Sequence, residues 1–186
     1  MNQPPENVPG ALNGDLRCPS TEPGQSNRHC DFAELARTVS GTFALGSHSI
    51  HGPAHWRRVE RNGLWLAERS GGDLLVVRLF AWFHDSCRVN EWTDPDHGKR
   101  GADYALKLRG TLFDLEDEAL ERLVYACTWH TDKDHSEDPT IGACWDADRL
   151  DLGRVGTTPS PRFMSTAAGK EAAGAGHAFL SHRVDP

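Results

Sequence analysis

The sequence predicts an all-α helical bundle. Three observations lead there. Apolar residues recur at helical spacing in successive segments, Gly, Pro and polar stretches separate those segments, and strand-like and helix-like segments never alternate. At 186 residues the chain suits one domain with a buried core.

The elements follow in chain order. Residues 1–30 are rich in Pro, Asn, Gly and Ser without periodicity, which predicts a disordered or loosely attached arm. Residues 31–45 set Phe32, Leu35, Ala36, Val39 and Phe43 on one helical stripe, with Asp31 as N-cap and Gly46-Ser47 as the stop. Pro53 suits a first helical position, and the helix it opens runs through His55, Trp56, Val59, Leu66 and Ala67 to Ser70-Gly71-Gly72. Residues 74–83 are apolar nearly all round, a pattern that fits a buried helix or a buried strand. The Asp73 cap and the helical neighbours decide for a central helix, ending at His84-Asp85.

Residues 86–96 are polar, contain Pro95 and read as a loop. Two helices follow at 98–108 and 116–129, split by Gly110-Thr111. Residues 130–139 form a polar loop, and 141–152 a shorter helix. Beyond Gly156 the pattern weakens at Pro159 and Pro161. A last helix at 167–180 is diluted by Gly169, Gly174 and Gly176. The expected organisation is an arm (1–30), a helical core (31–156) and a C-terminal tail (157–186) that can carry a short helix.

Bulk properties exclude several classes. A formal net charge of -7 makes a poor partner for a nucleic acid polymer. A small anionic substrate stays compatible, because a bound cation supplies positive charge locally. Mean hydropathy is -0.57, and no apolar run approaches the ~20 residues of a membrane span. The N-terminus lacks a basic start followed by an apolar stretch, so a cytoplasmic protein is expected. Cys18, Cys30, Cys87, Cys127 and Cys144 are odd in number and widely spaced, which fits reduced thiols. Nothing forbids a homodimer.

His84-Asp85 is the most informative pair. An apolar helix that ends in an imidazole and a carboxylate buries groups that need hydrogen bonds or a metal. His55, in the first turn of an earlier helix, and the acids Asp146, Asp148 and Asp151 on a late one are available partners. Alone, such a histidine is ordinarily a surface or capping residue, and Asp-Arg-Leu-Asp an ordinary solvated helix face. His51 lies four residues before His55, but Pro53 stands between them and the Glu of a H-E-x-x-H protease helix is missing.

The order H…HD…D resembles the HD superfamily of metal-dependent phosphohydrolases. His55-Trp56-Arg57-Arg58-Val59 resembles its opening motif, Leu79 to Asp85 its "A-x-L-H-D", His97-Gly98-Lys99-Arg100-Gly101-Ala102 its "H-G-x-x-G-A", and Asp146 to Asp151 its "D-A-D-R-L-D". The resemblance spans roughly residues 49 to 156. It implies His55, His84, Asp85 and Asp148 as metal ligands, with Asp146 an alternative to Asp148. The ion it implies is divalent (Mn, Fe, Co, Ni, Zn or Mg), with one ion preferred over two. His97 and His130 occupy places where some members hold a second ion and others meet substrate.

The catalytic candidates are Asp85 of the HD pair and Arg88, which follows that pair by three residues. For substrate phosphate, guanidinium and ammonium chemistry singles out Arg58, Arg88 and Lys99. The Glu-Asp pair that alarmone hydrolases of this superfamily carry after the HD is replaced here by Arg88-Val89. The implied activity is hydrolysis of a phosphate ester or anhydride on a small metabolite or nucleotide. The alternatives are an HD-type di-iron oxygenase and a non-catalytic metal-binding sensor.

Overall fold

The computed structural model describes residues 28–176. Seven α-helices make the body: α1 (Phe32–Thr42), α2 (Pro53–Ser70), α3 (Leu74–Phe83), α4 (His97–Leu108), α5 (Asp117–Trp129), α6 (Pro139–Leu150) and α7 (Ala167–Ala175). Short 3-10 turns at Leu152–Val155 and Pro161–Phe163 link α6 to α7. The expected all-α bundle is what the chain forms.

Helix α3 is the axis. Its residues Val76, Val77, Leu79, Phe80, Ala81 and Phe83 are essentially inaccessible, and α2, α5 and α6 surround it. That explains why its sequence shows no polar face. Asp73 starts it by accepting hydrogen bonds from the backbone N–H groups of Leu75 and Val76. Asp31 caps α1 through Glu34 N–H. Asp138 caps α6 through Thr140 and Ile141, with Pro139 at the first helical position, so α6 starts earlier than residue 141.

Some expectations change. Residues 28–30, counted with the arm, belong to the fold: His29–Cys30 (β1) pairs antiparallel with Phe113–Asp114 (β2). Two residues carry no readable alternation, and only their tertiary partner makes them a strand. Helix α1 stops at Thr42, because Phe43 leaves for extended backbone (φ -71°, ψ 119°). The tail contributes α7, which packs on α2 and α6. The rest of the expected arm (1–27) and residues 177–186, including the end of the predicted last helix, lie outside the described residues. Among the described residues no helix is long and apolar enough to cross a membrane.

Glycine lets two elements meet at the end of α3. A Cβ on Gly101 would lie 2.2 Å from the carbonyl oxygen of Phe83, and one on Gly98 2.2 Å from that of Cys127. These two glycines seat α4 directly against the His84-Asp85 end of α3 and the C-terminal turn of α5. They account for Gly98 and Gly101 in the sequence motif.

Candidate metal centre

Five helices or their ends deliver the centre: α2 brings His55, the end of α3 His84 and Asp85, α4 His97, the end of α5 His130, and α6 Asp148. His55, His84, Asp85, His97 and His130 are all buried.

One half is built of His55, His84, Asp85 and Asp148. His55 Nε2 lies 3.1 Å from His84 Nε2 and 3.2 Å from Asp148 Oδ1. His84 Nε2 lies 3.7 Å from both Asp85 Oδ2 and Asp148 Oδ1. The other half is built of His97, His130 and the second oxygen of Asp85. His97 Nε2 is 3.0 Å from His130 Nε2 and 3.1 Å from Asp85 Oδ1, and His130 Nε2 is 3.7 Å from that oxygen.

Each imidazole is oriented from behind. His55 Nδ1–H donates to Asp151 Oδ2 at 2.7 Å, His84 Nδ1–H to the carbonyls of Phe80 and Ala81, His97 Nδ1–H to that of Asp94, and His130 Nδ1–H to that of Cys127 at 2.7 Å. These acceptors assign the tautomers, and each leaves an Nε2 lone pair turned inward. Lone pairs and carboxylate oxygens facing one another at 3.0–3.7 Å repel unless a proton or a metal cation lies between them. Asp148 Oδ1 is buried without a hydrogen-bond partner among the described residues. A divalent ion fits this arrangement, and the backing acceptors are the outer partners that metal-ligating histidines use.

Electrostatics agree. Burial pushes His84 down to about 3 despite Asp85 and Asp148, so it is neutral and able to ligate. Burial would raise the Asp85 carboxyl, but His84, His130, His51 and His97 outweigh it and hold the group well below its usual range. Asp148 is held low in the same way by His55, His84 and Arg154. Burial opposes protonation of His55 and His130, yet Asp148 and Asp151 raise the first and Asp85 the second.

The other residues singled out in sequence are distributed unevenly. Arg88 reaches the centre: its Nη1 lies 3.4 Å from Asp85 Oδ1 and 3.3 Å from His97 Nε2. Arg58 instead grips Asp151 through Nε at 2.7 Å and Nη2 at 2.9 Å, behind His55. Lys99 pairs with Asp103 on an exposed stretch of α4. Asp146 turns away from the centre and accepts from Ser165 N–H, Thr166 N–H and the Thr166 hydroxyl at 2.7–2.8 Å. It joins α6 to the start of α7, and of the two acids it is Asp148 that faces His55 and His84.

Three residues gain roles that no motif assigned. His51 Nδ1–H donates to Asp85 Oδ2 at 2.8 Å. Asp151 orients His55. Arg154 stands 4.0 Å from Asp148 Oδ1 and ties the turn before α2 through Ile50 O at 3.0 Å. Asp151 had a signal, being the last acid of the Asp146–Asp151 motif. Arg154 had none, because its contacts depend on how the 3-10 turn folds back.

No protein-family profile and no curated protein matches the chain. Solved structures do. A predicted HD superfamily hydrolase from an uncultured Thermotogales bacterium is 28% identical, covering 81% of this chain and 87% of its own, with a TM-score of 0.62. YpgQ of Bacillus subtilis, solved in complex with ADP, is 18% identical over 81% of this chain and 89% of its own, with a TM-score of 0.53. An HD-superfamily hydrolase from Bacillus thuringiensis is 18% identical over 80% of this chain and 88% of its own, with a TM-score of 0.51. The helical order and the likeness to these structures show that the chain has the fold of HD-superfamily hydrolases, with the H…HD…D side chains converging in it.

Proposed function

We propose that the protein is a metal-dependent phosphohydrolase acting on a small phosphorylated metabolite. One observation carries this reading: His55 Nε2 and His84 Nε2 lie 3.1 Å apart, and each lies within 3.7 Å of both Asp85 Oδ2 and Asp148 Oδ1. When bound there, a divalent ion (Mn, Fe, Co, Ni, Zn or Mg) supplies Lewis acidity toward a phosphoryl oxygen and a water nucleophile near neutral pH.

The chain's own residues do the rest. His51 steadies Asp85 by donating to Oδ2, while Arg88 donates to its Oδ1 from the other side. Arg88 and Arg154 bring positive charge to two sides of the cluster, and guanidinium N–H groups match phosphate oxygens. A nucleotide is the first substrate class to try, since YpgQ, similar in fold, was solved with ADP.

The test is phosphate release from a nucleotide panel by chelator-stripped protein, with each ion added in turn, beside Asp148→Ala. Turnover that needs the ion and disappears in the variant supports the reading. A second reading, a di-iron oxygenase, draws on Asp85 facing His97 and His130 as well as the first half. Oxygen uptake with two irons per chain would replace the hydrolase by the oxygenase. Tight ion binding without turnover of any kind would leave the sensor.

A further inference from the structure

We infer that the Arg88 guanidinium is the built-in cation of the His97–His130 half, so that the chain holds one divalent ion and keeps a second out. The inference rests on the metal-binding reading above and concerns how many ions the cluster accepts.

The two halves offer similar donor geometry. His97 Nε2, His130 Nε2 and Asp85 Oδ1 lie within 3.7 Å of one another, close to the spread of the first set. They differ in what already uses the donors. Arg88 Nη1 points at Asp85 Oδ1 and at His97 Nε2, at 3.4 and 3.3 Å. Those are the lone pairs a second ion would need.

The guanidinium is also held in place. Its Nε donates to the carbonyl of Asn90 at 3.4 Å and its Nη2 to that of Trp92 at 2.6 Å. Both carbonyls belong to the loop between α3 and α4. That loop is locked in turn, because Asp94 accepts from Arg100 Nη2 at 2.6 Å and from Val89 N–H at 2.9 Å. Arg88 is 7% exposed, so it has no ready path into solvent.

Charge points the same way. The first half has two carboxylates to balance a divalent ion, whereas the second half only shares Asp85. A further divalent ion there would sit beside a fixed guanidinium in a poorly solvated site, where like charges repel strongly. The guanidinium thereby supplies the second positive charge that a two-metal site draws from its second ion.

Mn²⁺ titration of the chelator-stripped full chain by calorimetry, with elemental analysis of the loaded protein, tests this. Wild type should take one ion per chain. Arg88→Gln should take a second, with that step tightened at least about tenfold, the range seen when groups around a metal site are changed. Arg88→Gln/His97→Ala should return to one. Thermal melts report whether the variants fold. Should Arg88→Gln fail to fold, wild type and His97→Ala still decide: equal single-ion content supports the inference, and two ions in wild type falling to one in His97→Ala overturns it. No ion in wild type overturns this inference and the metal-dependent reading together, whereas two comparable ions in wild type overturn this inference alone.

Discussion

Helix α6 presents two carboxylates two residues apart to opposite surroundings. Asp146 is fully buried and surrounded by donors: Ser165 N–H, Thr166 N–H and the Thr166 hydroxyl. Asp148 faces the cluster and keeps Oδ1 buried with no hydrogen-bond partner among the described residues. Burial leaves Asp146 above the ordinary carboxylate pKa despite its donors. Asp148 is held far below it despite burial, by His55, His84 and Arg154. The difference teaches how a structural acid and a ligand acid are told apart. Asp146 and the Oδ1 atom of Asp148 are both buried, but the first has its hydrogen bonds completed by the fold, while the second is left incomplete and faces the imidazoles.

Substitutions at the two acids should separate along these lines. The largest effect is expected from Asp148→Ala. Ion affinity should fall by more than the ~100-fold that marks the upper end for outer partners, with hydrolysis lost alongside it. The apo protein should lose less stability than Asp146→Ala does, because only charge contacts with His55, His84 and Arg154 are removed and no completed set of hydrogen bonds. The ion itself should stabilise wild type by about 4 kcal/mol at a thousandfold excess over Kd, and this gain should vanish in the variant. Ion-dependent thermal melts check both statements, and apo Asp148→Ala that melts below apo Asp146→Ala would break the comparison.

Asp146→Ala should do the reverse. Removing a buried acceptor of three hydrogen bonds should cost about 3 kcal/mol in denaturant unfolding. The folded fraction should bind the ion with wild-type stoichiometry. Loss of the ion from still-folded Asp146→Ala would show that the two faces of α6 are not independent.

A smaller effect is expected one shell out. Asp151→Asn removes the charge that orients His55 and that Arg58 grips, and should weaken ion binding about 10–100-fold without abolishing it. Cobalt absorption spectra report the coordination directly.

The smallest effect is with pH. A histidine ligates only when neutral, so protons compete with the ion. His55 holds its proton more tightly than an ordinary imidazole, so competition begins above the usual ~6.5. His84 adds nothing near neutrality, since its own value is about 3. The Kd for Mn²⁺ should therefore rise from pH 8 to pH 6, by about a decade per proton displaced per pH unit. A flat profile over that interval would show that His55 carries no proton in the apo protein.

Much of the fold was legible from local signals. The Asp73 cap, Pro53 and the all-apolar 74–83 run located α2 and α3 to the residue. The ordered motifs pointed to the residues that the structure brings together: His55, His84, Asp85, His97, His130 and Asp148. Basic residues were harder to place. Arg58, Arg88 and Lys99 looked alike as phosphate binders, yet one grips Asp151, one enters the cluster and one pairs with Asp103 at the surface. A long side chain reaches any of several partners, so its role depends on which acids the packing brings near.

Sequence by itself determined the helices, their caps and the types of donor available, because those depend on neighbours within a few residues. Tertiary structure decided direction. Two residues of helix turn by about 200°, so only the packing of α6 against α2 and α7 turned Asp148 toward His55 and Asp146 toward Thr166. The seating of α4 through Gly98 and Gly101 set His97 beside Asp85 and left the guanidinium of Arg88 facing them both.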